Sequence, residues 1–94
     1  MSSDIFSRQI NVADFDMIYA GAQKNMGPAG ATLVIVKDSI LGKSGRDIPA
    51  YLDYQVHISK ESMFNTPPVF AFYVSMLTLR WLKGIGGVAE MEKI

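Results

Sequence analysis

The chain of 94 residues carries nine Lys/Arg against nine Asp/Glu, one histidine and no cysteine, with 49% hydrophobic and 19% charged residues. Neutral balance without a block of either sign excludes the electrostatic footprint of a polyanion binder, and the missing thiols exclude disulfides, thiolate nucleophiles and cysteine-ligated zinc. A chain this short buries only about 60–65% of the surface its unfolded form exposes, and a charge content below the usual ~25% points to surfaces that meet other polypeptide.

In chain order, Met1-Ser2-Ser3-Asp4 has neither the basic start nor the apolar core of a signal peptide. Residues 17–22 read as a short strand, and the β-branched run Ala31–Val36 as a second. With too little polar alternation for a wet face, both belong in a covered sheet. Between them Asn25–Gly30, centred on Gly27-Pro28, is a strong breaker and predicts a hairpin-like reversal. Lys37–Leu41 forms at most one helical turn ended by Gly42, and residues 43–62 look irregular and exposed. Thr66 reads as an N-cap with Pro67 at the first helical position, opening a helix to about Lys83. Val69, Phe72, Met76 and Leu79 make one apolar stripe on it, and Phe70, Val74, Leu77 and Trp81 another. A helix apolar nearly all round is a buried one. Gly84–Gly87 ends it, and Val88–Ile94 begins a further helix that runs to the chain end. The longest uncharged apolar stretch, Pro67–Leu79, is well short of the roughly 20 residues that span a bilayer.

The chemistry concentrates in Ile18-Tyr19-Ala20-Gly21-Ala22-Gln23-Lys24-Asn25-Met26-Gly27-Pro28-Ala29-Gly30. By spacing alone, a lysine in a Gly/Pro-rich connection between strands is an exposed turn residue. The small residues around this one leave room for a flat group against the backbone. An amine in a poorly hydrated pocket loses its proton more readily and becomes a nucleophile toward an aldehyde. His57, without a second histidine or a carboxylate at ligand spacing, reads as a surface residue. Trp81 reads as core. Neither glycine cluster has the pattern of a nucleotide loop.

That string resembles the active-site lysine segment of the phosphoserine aminotransferases, class V pyridoxal-phosphate enzymes of fold type I. The likeness continues through Leu41-Gly42-Lys43, Leu52-Asp53-Tyr54, Ser62-Met63-Phe64-Asn65-Thr66-Pro67-Pro68, Trp81-Leu82-Lys83 and Gly86-Gly87-Val88-Ala89-Glu90-Met91. It covers the chain almost end to end but only about the middle quarter of a family member. The resemblance implies an α/β fold: two strands of a mixed sheet and a long buried helix from the large cofactor-binding domain (residues 1–83), then the start of the helix leading toward the small domain (84–94).

It further implies that Lys24 bonds covalently to pyridoxal phosphate and shuttles a proton at the substrate α-carbon, and that Gln23 binds the cofactor phosphate. Asn65 and Thr66 would reach the phosphate site of the neighbouring subunit in a homodimer with a shared active site. Taken without the resemblance, Asn65-Thr66-Pro67-Pro68 is a capping arrangement. Since Gln23 and Lys24 would face opposite ways in an extended strand, the chain must bend there for both to meet one cofactor. The implied reaction passes an amino group from glutamate to 3-phosphohydroxypyruvate, in the cytoplasm, for serine biosynthesis; some bacterial members also serve pyridoxine biosynthesis. The family's pyridinium-pairing aspartate, stacking aromatic and substrate-clamping His and Arg residues fall outside the sequence, so the chain alone is expected to be inactive. A non-catalytic module, or another class V aminotransferase, is the alternative.

Overall fold

Two short strands organise the molecule, whose structure, a computed structural model, describes residues 1–43 and 45–94. Strand β1 (Met17–Gly21) pairs antiparallel with β2 (Thr32–Val36), from Met17 opposite Val36 to Gly21 opposite Thr32. Both stand within a residue of their expected limits, because branched side chains fit the pleat and Gly27-Pro28 cannot continue it. The other edge of β1 is also engaged. The Met1 ammonium donates to the Tyr19 carbonyl at 2.9 Å, and the Gly21 amide donates to the Met1 carbonyl at 3.0 Å. A residue whose N–H and C=O bracket the neighbour's i and i+2 positions is paired parallel to it. β1 thus has an antiparallel neighbour on one side and a parallel bridge on the other, the arrangement of a mixed sheet.

The pairing puts Ile18, Ala20, Leu33 and Ile35 on one face. There Ala20 packs with Ile5, Ala22 and Met26, and Phe6, Ala31 and Leu33 close round them. The opposite face carries Tyr19, which is 60% exposed. The expectation of a covered sheet therefore holds only in part within this chain: Ile18 and Ala20 are buried, while Ile35 on the same face is 37% exposed.

Residues 43–62 are exposed as expected but less irregular; Ser44 lies outside the described residues. Ala50–Leu52 form a 3₁₀ turn and helix α1 spans Tyr54–Ser59. Its N-cap is Asp53, whose carboxylate accepts from the Gln55 amide at 3.0 Å. Asp53→Ala should cost about 1 kcal/mol, visible as faster hydrogen exchange at Gln55 and Val56.

Helix α2 spans Val69–Gly84, with Pro68 as N-cap and no side-chain capping bond. The expected Thr66 cap and Pro67 start are corrected for a steric reason. A residue before proline is pushed out of the helical region, which disfavours a helix start at Thr66 or Pro67, and the first helical bond runs from the Phe72 amide to the Pro68 carbonyl at 3.1 Å. The far end is as expected. The Gly86 and Gly87 amides donate back to Lys83 and Leu82, with φ of 114° and 84° at the two glycines, before α3 (Val88–Lys93).

Only Ala71, Ser75 and Leu82 of α2 are buried. Phe70 is 74% and Trp81 56% exposed: Trp81 is not in the core of this chain, and a helix apolar on two sides has stripes that this short chain alone does not cover. The surface area is 6918 Å², against about 5,400 Å² for a compact monomer of this mass, and the radius of gyration is 14.8 Å, against about 12 Å. Both apolar stripes lack a cover that the described elements are too few to supply. Among the described residues, no helix is long and apolar enough to cross a membrane.

Candidate active site

The predicted bend is present and starts where β1 stops. The Met26 and Gly27 amides both donate to the Ala22 carbonyl, at 3.2 and 2.8 Å, so the chain coils through one helix-like turn after the strand. In such a turn positions i and i+4 share a side. Ala22 and Met26, fully buried and 5% exposed, face the core, and Gln23, Lys24 and Asn25 face outward.

Lys24 is consequently exposed, not sheltered as the sequence suggested, because the turn projects beyond the sheet and the described elements build nothing over it. Its amine has no ion-pair partner among the described residues, whereas Lys37 meets Asp16 at 3.5 Å and Lys93 meets Glu90 at 2.9 Å. Gln23 folds back over Gly21, where a Cβ would collide with the Gln23 carboxamide oxygen. The glycine is what lets that carboxamide lie beside the strand end.

Two contacts that the sequence did not announce fix the turn. Asn25 donates through Nδ2 to the Ile5 carbonyl. The Ile5 loop is itself stapled by Asp4, which accepts from Ser7 Oγ at 3.2 Å and from Arg8 at 3.1 Å; the Arg8 hydrogen bond holds the Asp4 carboxyl below its ordinary range. On the far side, Gly27 lies against α2 at Ser75, and Gly30, at φ 116°, against Ala71 and Pro68. The available signal was the pair of small residues Ala71 and Ser75, one helical turn apart on an otherwise bulky helix.

Asn65 and Thr66 are also exposed, and Asn65 donates through Nδ2 to the Thr66 carbonyl at 3.0 Å. Freed from capping α2, the Thr66 hydroxyl is available to another partner. Asn65 lines a hollow of about 420 Å³ with Tyr51, His57, Ser62 and strand residues Val34 and Val36, and Lys24 is not among its walls. The structure therefore brings Gln23 together with Lys24, and Asn65 with Thr66, without joining the two pairs in one hollow. Among the described residues no cluster of His, Asp or Glu could hold a metal ion.

Chemically, the four side chains are two carboxamides, a hydroxyl and a primary amine. Three can donate to phosphate oxygens, the amine can attack an aldehyde, and no carboxylate among them would repel a dianion. That donor set fits a phosphorylated aldehyde cofactor.

Comparison with known proteins gives the same direction. The family described as aminotransferase class V matches residues 1–94. The chain is 68% identical, over all 94 residues and 26% of the relative's length, to a phosphoserine aminotransferase of Flavobacterium psychrophilum. Of solved structures, a phosphoserine aminotransferase from Bacillus circulans subsp. alkalophilus aligns with a TM-score of 0.90 at 40% identity, over 99% of this chain and 26% of that one. A pyridoxal-phosphate-bound phosphoserine aminotransferase from Trichomonas vaginalis aligns with a TM-score of 0.89 at 36% identity over the same shares, 99% and 26%. The chain spans about a quarter of the length of these relatives.

Proposed function

This chain belongs to the class V aminotransferase family, and from that premise we propose that it is the lysine-bearing segment of a phosphoserine aminotransferase. The reaction is transfer of the amino group of glutamate to 3-phosphohydroxypyruvate, giving phosphoserine for serine biosynthesis in the cytoplasm. What carries the reading is the 68% identity to the Flavobacterium enzyme across the whole chain, in a segment that presents on a turn, beside Gln23, a lysine without an ion-pair partner among the described residues. Residues 1–83 are assigned to the large domain and 84–94 to the approach to the small one. A second phosphorylated substrate, in pyridoxine biosynthesis, is compatible with the same segment.

Pyridoxal phosphate, when bound, supplies the aldehyde that takes up the amino group and a ring that draws electron density from the substrate α-carbon. Lys24 Nζ would hold the cofactor through its aldehyde and would carry a proton to and from that α-carbon, which a primary amine can do without a carboxylate beside it. Gln23 holds the phosphate through its carboxamide. Asn65 and Thr66 hold the phosphate bound to a second copy of the chain, in a homodimer. Two observations support that division: the two pairs do not share a hollow, and α2, which follows Thr66, leaves wide apolar surface uncovered. Water is kept from Lys24 by polypeptide other than these elements.

Given glutamate and 3-phosphohydroxypyruvate, the full-length protein carrying this segment should form 2-oxoglutarate and phosphoserine. Transamination of unphosphorylated oxo acids only would assign it to another class V enzyme, and no transamination at all to a non-catalytic module.

A further inference from the structure

We propose that His57 is a positioning residue for the Asn65–Thr66 pair, acting through the ring of Phe64; this rests on the phosphate role proposed for that pair. His57 is half-buried and is tied in three ways. Its Nε2 donates to the Tyr51 carbonyl at 2.7 Å, fixing the ring against the 3₁₀ turn. The ring meets Tyr51 edge-on at 5.4 Å and 74°, and Phe64 edge-on at 5.7 Å and 84°. Its backbone carbonyl accepts from the Ser62 amide at 2.8 Å.

Between α1 and Phe64 the chain passes through Glu61 and Ser62 at φ of 54° and 65°. Two consecutive non-glycine residues in the left-handed region are costly, and persist only where their surroundings hold them. Here the backbone carbonyls of Ile58, His57 and Lys60 accept from the Glu61, Ser62 and Met63 amides, and just beyond the strained link the rings of His57 and Tyr51 flank Phe64, the His57 ring edge-on and nearer. Asn65 follows immediately, and then Thr66 leads into the stiff Pro67-Pro68. The donor pair is therefore suspended between an aromatic clasp and a proline brace. His57 also lines the same hollow as Asn65.

An edge-on aromatic contact is worth about threefold to tenfold in an equilibrium constant. In the full-length protein, His57→Ala should weaken pyridoxal phosphate binding by about that factor and leave the binding of unphosphorylated pyridoxal unchanged. His57→Phe, which keeps a ring for Phe64, should recover part of the loss. General damage to the fold would weaken both ligands alike, so the pair of dissociation constants separates positioning from stability. Should His57→Ala fail to fold, His57→Gln, which keeps a donor for the Tyr51 carbonyl without the ring, carries the same expectation. Equal loss for both ligands, or for neither, while Asn65→Ala remains selective for the phosphorylated one, overturns the inference alone. An Asn65→Ala variant without phosphate selectivity overturns the phosphate role itself, and the inference with it.

Discussion

Lys24→Ala removes covalent cofactor attachment and lowers turnover of the full-length protein by at least about a thousandfold, the upper range of what a positioned proton carrier contributes. The expectation follows from where the turn puts each side chain. Its inward positions are taken by Ala22 and Met26, so the adjacent outward positions carry Gln23 and Lys24 together. Lys37 and Lys93 are occupied by Asp16 and Glu90, on other elements, and neither is placed to substitute. Loss of both the cofactor's visible band and turnover is the predicted outcome. A variant that keeps turnover within tenfold of the parent would remove Lys24 from the chemistry.

Gly27→Ala should destabilise by about 1–3 kcal/mol, the range for an overfilled contact, and should lower cofactor affinity with it. A Cβ at Gly27 would stand 2.6 Å from Ser75 Oγ, and 3.3 and 3.4 Å from the Ser75 Cα and amide nitrogen. The first contact is impossible and the other two are tight but tolerable. Relief by retreat of the turn would drag Lys24 with it, because Gly27 and Met26 are bonded to the same Ala22 carbonyl. Ser75 Oγ has no hydrogen-bond partner among the described residues, so removing it breaks none of their bonds. Gly27→Ala combined with Ser75→Ala should accordingly regain much of the stability and affinity. Urea denaturation and cofactor titration of both singles and the double measure this coupling; strictly additive losses would mean the turn does not rest on Ser75.

The elements that were legible in the sequence are those written in local chemistry. Val34-Ile35-Val36 dictates a strand, Gly27-Pro28 a reversal, and Gly86-Gly87 a helix end, and all three stand where expected. The bend at Gln23 and Lys24 followed from strand alternation together with the single cofactor that the family resemblance implied for both residues. What escaped depends on partners distant in sequence. Helix α1 has one short turn and a half with no apolar stripe, and its sign was the single cap Asp53. The Thr66 cap was misassigned because two successive prolines move the helix start forward. That α2 exceeds what this chain can cover was legible in its two apolar stripes; what lies over Trp81 and Phe70 was not, since a helix with apolar sides specifies that it be covered and not by which chain. Ile5 to Asn25 and His57 to Phe64 are tertiary contacts of which spacing carries no trace, and Gly27 to Ser75 left only the small pair Ala71 and Ser75 as its sign.

Reduction of the cofactor-loaded full-length protein with borohydride, followed by peptide mapping, tests directly whether one amine was chosen for covalent work. The pyridoxyl mass is expected on the peptide containing Lys24 and on no other lysine. A label spread over the lysines in proportion to their exposure, or fixed on a different one, would contradict it.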